Sequence, residues 1–219
     1  MLIRFIISAY HYITVRVYRN LASAGIYLKK NTDDRQVLEN TIFPYFRAHK
    51  EYLSILFIGC AWFTKRYNQL FNHKVYWTVD IDPKMKKFGS KRHIVDSMEN
   101  LDRYFKESEL DVIFCNGVYG WGLNTKEDVE KAFKNCFNLL REGGIFILGW
   151  NDIPERRPYS LDEFEILRLF QPFHFEPLNT TKYLTKNPNQ HTFSFYMKPI
   201  NIEPKRTYSG DEVSHSTLV

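Results

Sequence analysis

The feature that most constrains this chain is a series of short apolar runs alternating with helical patterns. Leu53-Ser54-Ile55-Leu56-Phe57-Ile58 ends at Gly59 and suits a buried parallel strand. Val75–Val79, stopped by Asp80-Ile81-Asp82-Pro83, reads as a second strand, and His93–Val95, Val112–Cys115 and Ile145–Leu148 as three more. Helical patterns separate them. Asp33 caps a predicted helix through Val37, Leu38 and Ile42 that Pro44 limits, and Thr64 caps another containing Tyr67, Leu70 and Phe71. A further helix is expected near Leu101 to Phe105. The clearest opens at Thr125, with Glu127 and Asp128 where the helix dipole favours negative charge. Its apolar face is Val129, Ala132, Phe133, Cys136, Phe137 and Leu140, and Gly143-Gly144 is its predicted stop. Ser160 with Glu163 predicts one more helix, through Phe164 and Leu167.

The end of the chain departs from this rhythm. His174-Phe175-Glu176 and Thr192–Tyr196 are strand-like, joined through the turn-rich Lys186-Asn187-Pro188-Asn189. The expected class is therefore α/β: a Rossmann-like, doubly wound, mostly parallel sheet with a C-terminal antiparallel β-hairpin. Ligands of such sheets bind at the carboxyl ends of the strands, where strand order reverses.

Charge sharpens the domain organisation. The 219 residues hold 30 Lys+Arg and 25 Asp+Glu, for a net charge of +5. Arg4, Arg16, Arg19, Lys29 and Lys30 carry that excess within residues 1–30, which contain no acid. The remainder is balanced, which argues against a nucleic-acid surface on the main body. We divide the chain into a basic amphipathic segment (1–32), a main domain (33–202) and a polar tail expected to be disordered (203–219). In the first segment Leu2, Ile6, Ala9, Ile13, Val17, Leu21, Ala24 and Leu28 follow a helical period. That stripe either packs on the main domain or lies on an anionic membrane. Arg4 and Ala22-Ser23-Ala24 also resemble parts of a signal peptide, but Arg16 and Arg19 interrupt it. Cys60, Cys115 and Cys136 are too few and dispersed for a disulfide framework or zinc site, and a reduced, metal-free, cytoplasmic protein is expected, with a peripheral position at the inner membrane surface as the alternative.

In order along the chain stand Ile58-Gly59-Cys60, Val79-Asp80-Ile81-Asp82-Pro83, Val95-Asp96-Ser97-Met98-Glu99-Asn100-Leu101, Asp111–Gly117 and Leu139–Gly144. This series resembles the motif order of class I S-adenosylmethionine-dependent methyltransferases, over about residues 35–200. The resemblance implies S-adenosyl-L-methionine as cofactor and a binding set of Gly59, Cys60, Asp80, Asp96, Ser97, Met98, Asn116 and Gly117. Physical chemistry agrees with the residue types. Glycine after the first strand permits close approach, a carboxylate after the second can accept from both ribose hydroxyls, and an acceptor after the third can read an adenine amino group. Asp80 has an alternative as a turn acid before Pro83, and Asp96 as a helix cap.

The first motif departs from the family pattern. Phe57-Ile58-Gly59-Cys60-Ala61-Trp62-Phe63 keeps one glycine, lacks the acid, and puts Trp62 and Phe63 where the family leaves space beside the methionine moiety. Candidate catalytic residues lie after the fourth and fifth strands: Asn116, Tyr119 and Asp152, with Trp121, Trp150 and Asn151 as neighbours. Asp152 could deprotonate an acceptor hydroxyl or amine, or serve as a turn acid before Ile153-Pro154. His174 and His191 read as structural histidines among phenylalanines. The expected activity is methyl transfer to O or N of a small-molecule or envelope-related acceptor. The alternative is an inactive, methyltransferase-like binding or scaffold protein, for which residues 1–30 would supply a peripheral membrane contact.

Overall fold

A computed structural model describes residues 2–26 and 29–200, with side chains from Tyr12 onward. The tail expected at 203–219 lies outside the described residues. Strands β1 (Ser54–Ile58), β2 (Val75–Asp80), β3 (Arg92–Val95), β4 (Leu110–Asn116) and β5 (Leu140–Asn151) are joined in parallel, and β8 (His191–Met197) adds to β5 antiparallel. Two short strands, β6 (Gln171–Pro172) and β7 (Lys182–Leu184), both pair with β8. The order β3-β2-β1-β4-β5-β8-β6 reverses between β1 and β4.

Alternation along each central strand feeds two cores, because successive side chains leave opposite faces. Ile55 and Phe57, Val112 and Phe114, and Ile145 and Ile147 point to one side, packing under Phe43 and Phe46. Leu56 and Ile58, Ile113 and Cys115, and Phe146 and Leu148 meet Val129, Phe133 and Cys136 on the other. Phe57, where the family pattern has an acid, is a fully buried core ring against Phe43, Tyr67 and Phe114.

Several local expectations are corrected. Thr32, not Asp33, precedes α2 (Asp33–Val37), which continues through a π-helical turn at Leu38–Ile42 into α3 (Phe43–Ala48). Asp33 instead accepts from the backbone N–H of Lys186 at 2.6 Å. Thr64 lies inside the 3₁₀ turn Trp62–Arg66 that precedes α4 (Tyr67–Leu70), and its hydroxyl reaches back to Ala61. Residues Met98–Arg103 form a 3₁₀ helix. Thr125 does cap α5 (Lys126–Leu139), accepting from Asp128 N–H at 3.2 Å, but that helix stops before Gly143-Gly144, which lie within β5. The run after Ser160 forms two 3₁₀ turns, since Phe164 adopts extended backbone between them. The hairpin partner of β8 is β7, not His174–Glu176, of which Phe175 makes only an isolated bridge to Thr180.

Helix α1 (Leu2–Ser23) packs beside the 3₁₀ turns Trp62–Arg66 and Pro83–Phe88. Ala22 is its buried contact, and the rings of Tyr18 and Trp62 meet at 4.9 Å. Of the apolar stripe, Ile13, Val17 and Ala24 face outward and Leu21 is half-buried, while the side chains of Leu2, Ile6, Ala9 and Leu28 lie outside the described residues.

Candidate active site

A cavity of about 450 Å³ opens at the carboxyl ends of β1, β2 and β4, at the strand-order reversal. On its first side the chain leaves β1 through Gly59, whose φ of +91° and close contacts exclude a side chain. A Cβ there would lie 2.8 Å from Val118 Cγ2 and 3.1 Å from the Asn116 carbonyl oxygen. Asp80 closes β2 and accepts from the N–H of Cys60 at 2.6 Å and of Asp82 at 2.9 Å, one bond to each carboxylate oxygen. Each oxygen keeps acceptor capacity for a ligand. Asp96 follows β3 and accepts from Ser97 N–H, Asn100 Nδ2 and Tyr104 Oη at 2.7–2.8 Å. Those hydrogen bonds hold its carboxyl below the usual range, with Asn100 and Tyr104 contributing most. Its neighbour Glu99, which also lines the cavity, has a buried Oε2 without a partner.

The opposite side is built from four distant segments. Arg35 in α2 is buried, lies 3.2 Å from Asp34, and covers the ring of Phe63 at 4.6 Å. Its guanidinium only donates, so the carboxamide oxygen of Asn116 must face it. In that orientation both Nη atoms are 2.8 Å from the Asn116 oxygen, and Asn116 Nδ2 donates to His191 Nε2 at 3.0 Å. Asn116 can lie there because its β5 neighbour is Gly149: a Cβ at that position would fall on the carboxamide. His191 and Asn151 are paired across β8 and β5, and His191 Nδ1 stands 3.4 Å from Asn151 Oδ1. Asn151 Oδ1 also accepts from Trp121 Nε1 at 3.2 Å.

Electrostatics follow from this packing. Burial first, and then the Arg35 charge against the smaller opposing effect of Asp34, lower the pKa of His191 to about 4. His191 is therefore neutral near pH 7, with its proton on Nδ1 and its Nε2 lone pair taken by Asn116. It positions Asn116 and Asn151 and is not a free base. Burial raises Asp34, but the Arg35 charge and hydrogen bonds from Thr32 and Asn187 outweigh it, so its carboxyl sits below the ordinary value. Lys30, whose ammonium is 5.1 Å from the Phe63 ring centre, is lowered by burial and by Arg35.

The eight residues expected around a cofactor, Gly59, Cys60, Asp80, Asp96, Ser97, Met98, Asn116 and Gly117, all line this cavity. Two of the three catalytic candidates do not. Tyr119 is buried among Phe133, Trp150 and Phe164, and its hydroxyl donates to the carbonyl of Tyr159 at 2.5 Å. Asp152 pairs with Arg157 at 2.5 Å and Lys182 at 3.5 Å, outside the cavity. Trp150 is also turned away, donating to Ser194 Oγ at 3.2 Å. Burial, then Asp80, push the Cys60 thiol up to about 12, so it is no nucleophile. Trp62 leans on Tyr18 of α1 and leaves the cavity wall to Phe63. Lys30, Asp34, Arg35, Glu99 and Asn187 were missed in the sequence, where no local pattern sets them apart from ordinary surface charges and turn residues.

Residues 56–148 match a family described as a methyltransferase domain. Over that stretch, from β1 into β5, the chain is similar to methyltransferase domains. Among solved structures it is similar to the N-methyltransferase NodS from Bradyrhizobium japonicum WM9, at 14% identity and a TM-score of 0.58, over 79% of this chain and 100% of that one. It is also similar to the 1,6-didemethyltoxoflavin-N1-methyltransferase from Burkholderia thailandensis, solved with bound 1,6-didemethyltoxoflavin and S-adenosylhomocysteine, at 14% identity and a TM-score of 0.52, over 88% and 90% of the two chains. A TehB-like methyltransferase from Corynebacterium glutamicum shares 16% identity at a TM-score of 0.54, over 87% and 99%. At these identities the likeness establishes a shared fold. No curated protein matches the sequence.

Proposed function

We propose that the cavity binds S-adenosyl-L-methionine and that the protein transfers its methyl group to a nitrogen or oxygen of a small-molecule acceptor. The observation that carries this reading is the outward turn of Trp62, which leaves the cavity open beside Gly59 although the first motif has lost its other glycines. The donor set fits the cofactor. Asp80 has acceptor capacity for a ribose, Gly59 and Gly117 admit close backbone approach, and the unpartnered Glu99 Oε2 can accept from an amino group. When bound, the cofactor supplies a sulfonium-activated methyl carbon. The work left to the chain is positioning and exclusion of water. Asn116, held between Arg35 and His191, presents a fixed carboxamide at the end of β4, and Trp121, tied to Asn151, forms an aromatic wall at the mouth. None of these groups takes a proton, which suits an amine that attacks in its neutral form and releases its proton to solvent after transfer, or an acidic hydroxyl that is already ionised.

The test is binding of S-adenosylhomocysteine. At about a hundredfold excess over its Kd, a ligand bound only by the folded state adds about 2.7 kcal/mol and raises Tm by roughly 5–10 °C. Asp80→Ala removes that shift. Phe63, which lines the cavity under Lys30 and Arg35, favours one other reading, a methyltransferase-like binding protein without turnover. No Tm shift and no calorimetric heat with the wild-type chain would establish that reading instead.

A further inference from the structure

The first 32 residues hold five basic side chains and no acid, and so do residues 83–92, with Lys84, Lys86, Lys87, Lys91 and Arg92. These acid-free blocks lie far apart in the chain but are neighbours in the fold, because α1 packs beside the turn Pro83–Phe88. All five cations of the second block are exposed, and so is Arg16 on α1. Beside Arg16, α1 presents aliphatic side chains to solvent. Ile13 is 61% exposed and Val17 47%, with Tyr12 at 67% alongside. One turn of helix thus displays apolar groups flanked by positive charge, and no described helix is long and apolar enough to cross a membrane.

We propose that α1 and the 83–92 turn together form a docking surface for an anionic lipid bilayer, with Ile13 and Val17 entering the interface and the lysines facing lipid phosphates. A bilayer is the occupant that uses both properties: aliphatic side chains gain burial in the acyl boundary while cations gain from the negative surface potential. Nucleic acid would engage the lysines but offers nothing to exposed isoleucine and valine. A second copy of this chain would set Arg16 and the five cations of residues 83–92 against the same like charges. The surface also has a route to the cavity, since α1 bears on Trp62 and the next residue, Phe63, is a cavity wall. Docking would hold the cavity's cofactor side near the bilayer. The proposal stands independently of the methyl-transfer reading.

The experiment is sedimentation of the full chain with vesicles of phosphatidylcholine containing phosphatidylglycerol, beside vesicles of phosphatidylcholine alone. The protein is expected to pellet with the anionic vesicles only, and to be released by salt. Ile13→Asp with Val17→Asp should abolish binding. Replacing Lys84, Lys86 and Lys87 by Ala should weaken it about five-fold per cation, so about a hundred-fold together. Because all five positions are exposed, the variants should keep the wild-type Tm, which reports that they fold. Equal binding to neutral vesicles, absence of binding to anionic ones, or undiminished binding by the Ile13/Val17 double variant would overturn the proposal. So would a dimer in analytical ultracentrifugation that the double variant dissociates while vesicles capture nothing.

Discussion

The two ends of the cavity are built on different principles. At the end beside β1, β2 and β3, each contributor closes its strand or directly follows it, and backbone N–H groups or nearby side chains complete its hydrogen bonding: Asp80 with Asp82 and Cys60 of the adjacent strand end, Asp96 with Ser97 and Asn100. At the other end Arg35, Asn116, Asn151 and His191 come from α2, β4, β5 and β8, and each is held by the others. The first end is a set of local turns that can vary singly. The second is a buried network, in which loss of one member strands its partners. The first should govern ligand affinity, and the second the stability of the fold as well.

The largest expected effect lies at the networked end. Arg35→Ala leaves the Asp34 carboxylate and the Asn116 carboxamide buried without their partner, and breaking such a pair costs about 3–5 kcal/mol. Denaturant unfolding should show a loss of that order. A loss below 1 kcal/mol would mean the two ends do not differ in kind. Gly149→Ala should damage the same network by pushing its Cβ onto Asn116, with a cost of roughly 1–3 kcal/mol.

At the local end, Asp80→Asn keeps an acceptor for Cys60 N–H but removes the charge. Calorimetry with S-adenosylhomocysteine should show affinity falling roughly ten- to a hundred-fold while the ligand-free Tm changes little.

The pH dependence of stability separates the ends further. The folded pKa of His191, about 4, lies below its unfolded value near 6.5, so the unfolded chain binds the extra proton between those values. Stability should therefore fall as pH drops from about 6.5 to 4, by up to about 3 kcal/mol, then lose that slope below pH 4. In His191→Gln that contribution should vanish, leaving the slope of His93, whose pKa burial also lowers. Asp34 acts in a lower range: its depressed carboxyl contributes stability above its unfolded pKa, which is lost only as pH falls through the folded value. The smallest effects belong to the two candidates outside the cavity. Tyr119→Phe removes one hydroxyl bonded to the Tyr159 backbone and should cost about 1 kcal/mol of stability, with ligand affinity unchanged. Asp152→Asn disrupts a partly exposed ion pair and should move stability by less than 1 kcal/mol.

Legibility in the sequence follows the same division. The parallel strands and the residues at their ends were readable because a βα unit places them by short-range spacing. Gly59, Asp80, Asp96, Asn116 and Gly117 are found at the cavity for that reason. Tyr119 and Asp152, expected as catalytic candidates, do not line the cavity, because position after a strand says nothing about which way a side chain turns. Tyr119 turned into the core beside Phe164, and Asp152 toward Arg157. The helices expected at Leu101 and Ser160 are 3₁₀ turns; the Ser160–Glu163 cap forms, but the extended backbone of Phe164 ends the turn after it.

The sequence by itself determined the alternation that makes the sheet, the strand-end residues that follow from it, and the absence of acids in residues 1–32. Only the tertiary structure decided that Trp62 leaves the cavity, that Arg35 meets Asn116 and His191, and that a second acid-free stretch lies beside α1. The physical reason is range. Periodicity, caps and turn chemistry act over a few residues and can be read in order, whereas a buried network or a charged face is a property of what packing brings together.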